Sequence, residues 1–215
     1  MMAEERAATF VIVGAGQAAG QVAQSLRGFG FGGRIVMIGE EPYIPYQRPP
    51  LSKKFLAGEM ELERVYFKPL AFYDKAKVEL LLNCRAVSID RKARAVTLGD
   101  GRVIGYDKLV FTTGARARRL SVPGSDLPGV FYLRSIADVE AIRAYLKPGH
   151  RLVIAGGGYI GLEVAAVMVS RGLDVTVVEM APALLARVMD PVVAKFFADA
   201  HTQAGVKIET GVTVQ

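Results

Sequence analysis

Among the 215 residues there is a single cysteine, Cys84. That excludes an internal disulfide, a four-cysteine zinc site and a redox-active CxxxxC pair. No run of about 18 uncharged apolar residues occurs, so no transmembrane helix and no membrane partner is expected. The opening MMAEER is polar with no apolar stretch behind it, which argues against a signal peptide. These absences fit a bacterial-type cytoplasmic location. Basic residues exceed acidic ones, giving a net charge of +6. They are scattered, and no basic helix with interleaved aromatics appears, so nucleic acid is not an expected ligand. The charge reads either as a moderately basic surface or as a landing patch for an acidic protein partner. Hydrophobic residues make up 51% of the chain and charged residues 22%, enough for one large or two modest globular domains.

A motif stands near the start and occurs again later. Phe10 to Gly20 reads FVIVGAGQAAG, and Leu152 to Gly161 reads LVIAGGGYIG. In both, a short apolar run meets a glycine-rich turn, then a helix-like stretch, then a second apolar run ending in Glu. Thr9 to Val13 is β-branched and does not alternate, as expected of a parallel strand buried on both faces. Gly14, Ala15 and Gly16 make the tight turn, and Gly16 lets a pyrophosphate approach the backbone. Ala19 and Gly20 are small enough for close packing of a helix over about 17–27, whose N-terminal N–H groups favour phosphate. Arg34 to Ile38 is the second strand. Glu40 lies 20 residues beyond Gly20, where a carboxylate meets an adenosine ribose. Its neighbour Glu41 is the alternative ligand.

Four prolines (42, 45, 49 and 50) exclude regular helix before residue 51, and Ser52 is a candidate cap for a short helix. Arg48, Lys53 and Lys54 read, on residue type alone, as solvated charges on a surface loop. Loop and short helix are expected over 59–76. Val78 to Leu82 is a third strand. Residues 85–89, 95–98 and 103–104 form an antiparallel meander with a turn at Gly99-Asp100-Gly101. Lys108 to Thr112 is a return strand. Residues 115–129 look like a linker, and Ser135 caps a helix reaching about Leu146.

In the second copy, Gly156, Gly158 and Gly161 satisfy GxGxxG in full. A helix is expected over about 159–171, a strand over 174–178, a helix over 191–204 and a strand over 206–210. Glu179, 18 residues after Gly161, favours NAD over NADP because it repels a 2′-phosphate; Arg187 nearby weakens that preference. Copy two stops at Gln215, where copy one continues into its meander, so about 25 further residues are expected by analogy with the repeat. The expected fold class is α/β, with two Rossmann-like FAD/NAD(P)-binding domains, the second truncated. The boundaries read as 1–115 for the FAD domain, 116–150 for a linker and crossover helix, and 151–215 for an incomplete NAD domain. Open sheet edges would favour self-association.

The stretches VIVGAGQAAG, IGEEPYIPYQRPPLSK, FTTGARARRL, YLRSIADVEAI and GGGYIGLEVAAV resemble the FAD-dependent pyridine-nucleotide oxidoreductases. More narrowly they resemble the NADH-dependent ferredoxin reductases that serve P450s and ring-hydroxylating dioxygenases. RPPLSK with FLAG shortly after it is the specific element. The resemblance implies FAD on Gly14, Gly16 and Ala18, with Glu40 on its ribose and Ala86 presenting backbone to the adenine. It places Arg48 and Lys53 near the pyrophosphate and flavin, and adds Thr113, Gly114 and Arg134. It implies NADH on Gly156, Gly158, Ile160 and Gly161, with Glu179 on the ribose. Glu163, otherwise an exposed helix carboxylate, would face flavin and nicotinamide, paired with Lys53 as the catalytic pair. Hydride would pass from NADH to the flavin and single electrons to a ferredoxin-type iron–sulfur protein. Members of the family are about twice this long, so the chain alone is expected to hold FAD weakly or not at all; a flavin absorption spectrum showing stoichiometric, tightly held FAD would overturn that. Two alternatives remain: a rubredoxin reductase or nitrite reductase flavoprotein component, and a non-catalytic nucleotide-binding or interaction module.

Overall fold

In the computed structural model, residues 7–215 are described; the MMAEER stretch lies outside them. By Cα proximity they form two units. One comprises residues up to Gln47 together with Leu62–Ala115. The other comprises Arg48–Glu61 together with Arg116–Gln215. No helix among the described residues is long and apolar enough to cross a membrane.

The first unit is built on a parallel sheet of four strands in the order β3-β2-β1-β7, where β1 is Thr9–Val13, β2 Arg34–Ile38, β3 Val78–Leu81 and β7 Lys108–Phe111. The unalternating apolar runs of the two central strands have the expected cause: β1 and β2 are buried on both faces, whereas the outer strands β3 and β7 are partly exposed. Ile12, Ile35 and Met37 point towards helix α1 (Gln17–Gly28) and pack with Ala19, Ala23 and Tyr73. Val11, Val13, Val36 and Ile38 point the other way, onto Val96 and Leu98 of an antiparallel meander. That meander is β4 (Ala86–Asp90), β5 (Ala95–Leu98) and β6 (Val103–Gly105), in that order. Each fully buried Val or Ile of these layers contributes roughly 1.5–3 kcal/mol. Two short helices, α2 (Leu62–Val65) and α3 (Leu70–Lys75), precede β3.

The second unit has a parallel sheet of three strands, β10-β9-β8, with β8 at Arg151–Ala155, β9 at Asp174–Glu179 and β10 at Lys207–Thr210. Its helices are α4 (Ile136–Tyr145), α5 (Tyr159–Ser170) and α6 (Pro191–Gln203). Ser135 caps α4 in a reciprocal box: its Oγ accepts the Asp138 N–H at 3.2 Å and its N–H donates to Asp138 Oδ2 at 2.7 Å. Asp190 caps α6 through the Val192 N–H, and Pro191 occupies the first turn, where its missing donor costs nothing. Among the described residues β8 and β10 each pair with β9 alone, so both edges of this sheet are open.

Strand and helix ends differ from the sequence expectation by one residue or so, for instance β4 at Ala86–Asp90 rather than 85–89. The Pro49 region differs in kind. A 3-10 turn runs over Pro49–Ser52, starting on the prolines themselves, whose fixed φ suits a first turn. Ser52 therefore closes this turn rather than capping a helix that begins after it.

Candidate functional site

In the first unit the parallel strands deliver their C-terminal ends to one edge. The β1–α1 turn, Glu40 after β2, Ala86 at the start of β4, and Thr113 with Gly114 after β7 all lie there, the edge where open α/β sheets hold ligands. Gly14 has φ +104°, and a Cβ on it would sit 2.3 Å from the Thr112 carbonyl oxygen. The Thr112 hydroxyl lies within hydrogen-bonding distance of the Gly14 carbonyl, 2.9 Å, and the Val13 carbonyl, 3.2 Å. The end of β7 thus closes onto the turn. Gly16 is the N-cap of α1, with no side-chain cap and no acid in the first turn, and a Cβ there would meet nothing within 4 Å. Unclaimed N–H donors beside open space suit a phosphate. Ala18 is exposed on the same turn of helix.

The two candidate acids are in different surroundings. Glu41 accepts the hydroxyl of buried Tyr46 at 2.6 Å. Glu40 is exposed and ion-paired with Arg85 at 3.3 Å. Ala86, half-buried, pairs with Leu98 just before an irregularity in the β4–β5 ladder. Thr113 and Gly114 are exposed, and Gly114 has φ +67°.

The second unit repeats this geometry. Gly156 has φ +114° and donates its N–H to Val178 O at 2.8 Å, as Gly14 does to Ile38 O at the same distance. A Cβ on Gly161 would lie 2.1 Å from Gly156 O, so helix and turn touch there. Gly158, the N-cap of α5, again has neither side-chain cap nor acid beside it and faces open space. Ile160 is exposed in the first turn. Glu179 Oε2 accepts the Gly157 N–H and Oε1 the Ala181 N–H, each at 2.7 Å. The turn, Glu179, Met180, Arg187, Val212 and Val214 line a cavity of about 490 Å³.

Strand registers align the two copies, with Val13 opposite Ile38 and Ala155 opposite Val178. Ala15 then corresponds to Gly157, and Gly39 to Glu179. In the first copy a Cβ on Gly39 would lie 2.5 Å from the Ala15 Cβ; in the second, a Cβ on Gly157 would lie 3.1 Å from the Glu179 Cβ. Each copy has room for one side chain at this junction. The first spends it on the turn, and the second on the acid.

Arg48, Lys53, Arg134 and Glu163 all belong to the second unit. Leu51, Phe55 and Leu56 are buried, and the 3-10 turn packs on α5, so the segment is not a solvated loop. Lys53 Nζ pairs with Glu163 Oε1 at 2.8 Å, and Ser52 Oγ donates to Glu163 Oε2 at 2.5 Å. The half-buried Glu163 is therefore held from both oxygens rather than free on a helix surface. The Arg48 guanidinium donates to the Arg134 carbonyl, and Arg134 donates its N–H to Asp138 Oδ2 at 3.0 Å. Arg143 stacks over Phe55, and Arg171 donates to the Ala57 carbonyl. Lys54 stays exposed, as expected.

The sequence reading gives no part in the site to three contributors: Thr112, Tyr46 and Ser52. The Thr112 contact crosses 98 residues and exists only because β7 pairs with β1. The Ser52 contact crosses 111. No local pattern signals either.

Comparison with known proteins places the chain in a family. The profile of the family described as Pyridine nucleotide-disulphide oxidoreductase matches residues 8–215. The chain is 46% identical over 198 residues to a ferredoxin–NAD(P)(+) reductase of Sphingomonas sp, covering 92% of this chain and 48% of that protein. It is 46% identical over 184 residues to the rubredoxin-NAD(+) reductase of Pseudomonas putida, covering 86% and 48%. The reductase in the crystal structure of a covalent putidaredoxin reductase–putidaredoxin complex superposes with a TM-score of 0.93 at 41% identity, over 97% of this chain and 51% of that one. The chain spans about half the length of the curated relatives it matches. With two glycine-turn cradles in matching register and a family profile running through both, the chain belongs to the pyridine nucleotide-disulphide oxidoreductase family.

Proposed function

We propose that this chain is the FAD- and NADH-binding portion of a reductase that passes electrons to a small ferredoxin-type iron–sulfur protein, in the cytoplasm. One observation carries the proposal: two dinucleotide cradles stand in the same register, and a Lys–Glu pair lies in the same unit as the second. In the first cradle, Gly14, Gly16 and Ala18 would bind the FAD pyrophosphate through backbone N–H groups. Glu40 would take the ribose, since Glu41 is already engaged by Tyr46. Ala86, Thr113 and Gly114 would border the same cofactor. Arg48, Lys53 and Arg134 keep the cofactor roles that the family resemblance gives them. In the second cradle, Gly156, Gly158, Ile160 and Gly161 would bind the NADH pyrophosphate, with Glu179 accepting the ribose hydroxyls while its backbone partners hold it still.

Bound FAD would supply the exchange between a two-electron hydride donor and one-electron acceptors. The chain's own part is to orient and to hold charge. The helix N-termini attract phosphate, Glu179 repels a 2′-phosphate, and Lys53 with Glu163 places one cation and one anion at a fixed spacing. With Cys84 the sole cysteine, this chain has no thiol pair to receive electrons, which favours an external acceptor. The names of the relatives support an iron–sulfur or rubredoxin-type acceptor. The open β8 edge supports self-association of the chain by itself.

The test is titration of the purified chain with NADH and NADPH, followed by ferricyanide reduction in the presence of FAD. NADH binding at least about tenfold tighter than NADPH is expected from one charge-dependent contact. Absence of NADH binding, or a preference for NADPH, would sink the proposal.

A further inference from the structure

Two polar residues are buried among the described ones, Thr9 and Ser52, each 6% exposed. Burial of a hydroxyl is unfavourable unless it is hydrogen-bonded, and of the two acceptors within reach of Ser52 Oγ, Glu163 Oε2 at 2.5 Å is far nearer than the Pro49 carbonyl at 3.4 Å. The turn that carries Ser52 is pinned throughout. Leu51 N–H donates to Arg48 O at 2.9 Å, and Lys53 N–H and Phe55 N–H both donate to Pro50 O at 3.0 Å. Leu51, Phe55 and Leu56 are buried beside it. Two consecutive residues of a rigid turn therefore take the two oxygens of one carboxylate, Ser52 on Oε2 and Lys53 on Oε1. The two contacts differ in strength. Lys53 is half exposed, and an ion pair at such a surface fixes little by itself. The short, charge-assisted bond from the buried Ser52 hydroxyl is the one that sets the carboxylate's rotation.

We propose that Ser52 is a positioning residue: its hydroxyl fixes the Glu163 carboxylate and, through it, the place of the Lys53 ammonium. The catalytic meaning of this clamp rests on the nucleotide reading above, which puts the Lys53–Glu163 pair at the reacting end of bound NADH. The clamp itself is a property of the chain without ligand.

Competitive acylation of the purified 215-residue chain with acetic anhydride, read by peptide mass spectrometry, tests it. Lys54, adjacent and exposed, is the internal reference in the same peptide. In Ser52→Ala the Lys53/Lys54 acylation ratio is expected to rise about three- to tenfold, towards the value in Glu163→Gln, as the freed ammonium samples solvent. Ser52→Thr, which keeps the hydroxyl, should restore the parent ratio. Thermal midpoints taken alongside establish that each variant is folded. A ratio unchanged in Ser52→Ala but raised in Glu163→Gln would overturn the proposal and leave Ser52 a packing residue. Saturating NADH added to the parent chain separates the two readings. Protection of Lys53 supports both; no protection, with the Ser52→Ala response intact, retires the NADH assignment and leaves the clamp standing.

Discussion

The carboxylate of Glu179 accepts the backbone N–H of Gly157 at 2.7 Å, so the acid at the end of β9 is held by the glycine turn beside it. A Cβ at residue 157 would come within 2.4 Å of Leu184 Cδ2, on a side chain only 2% exposed, and within 3.1 Å of the Glu179 Cβ. Gly157→Ala should therefore push Glu179 aside and weaken NADH binding by about tenfold or more, equivalent to ~1.4 kcal/mol. Fluorescence titration with NADH measures this, and parent-like affinity would show that the junction has slack.

Thr112 ties the return strand of the first unit to the glycine turn. Thr112→Val removes the hydroxyl near Gly14 O and Val13 O at nearly constant volume. The expected loss is about 1 kcal/mol of stability. Hydrogen exchange of the Gly14 to Ala18 amides should accelerate, while the amides of β9 serve as an unaffected control.

Arg27 closes the end of α1. Its guanidinium donates to the carbonyls of Ala76, Phe31, Gly33 and Lys77, at 2.6 to 3.2 Å. Arg27→Ala should destabilise the chain by about 2 kcal/mol, read as a shift of the urea midpoint. Arg27→Lys should recover only part of it, since an ammonium cannot reproduce the planar fork.

Tyr73 is fully buried, and its hydroxyl has no hydrogen-bond partner among the described residues. Burial pushes its ionisation up to about 12, from 10.0 in the unfolded chain. The folded form thus keeps its proton where the unfolded form has begun to lose one. Below pH 10 the group makes no difference to stability, and as pH rises from 10 towards 12 stability is lost. Tyr73→Phe should abolish that alkaline component. At neutral pH it should be neutral or stabilising by about 1 kcal/mol, because an unsatisfied hydroxyl is removed. Chemical denaturation at pH 7 and pH 11 of both proteins checks the sign.

The α/β class, the parallel strands and both glycine turns were legible in the sequence because they rest on local properties. Unbroken Val/Ile runs need two buried faces, and GxG needs a backbone that comes close to its surroundings. Ser135 as a cap was legible for the same reason. The different surroundings of Glu40 and Glu41 were not, since they turn on Tyr46, whose hydroxyl reaches Glu41 only once the proline-rich segment has folded. Pairing of Lys53 with Glu163 came from family likeness and not from spacing. The part of Ser52 was hidden further, because a serine after two prolines reads locally as a cap. The Ala15/Gly39 and Gly157/Glu179 exchange appears only when two strand registers are laid side by side.

Arg48–Glu61 lies with the second unit although its chain neighbours on both sides lie with the first. Modular inheritance is constrained by this interleaving. A gene exchange that replaced everything after residue 115 would pair a new α5 with an old Ser52 and Lys53, and new α4 and α5 surfaces with an old Leu51, Phe55 and Leu56. Functional chimaeras between relatives should therefore transfer both pieces together. Single-crossover hybrids joined at residue 115 should express poorly unless the 48–61 segment of the same parent is carried with them.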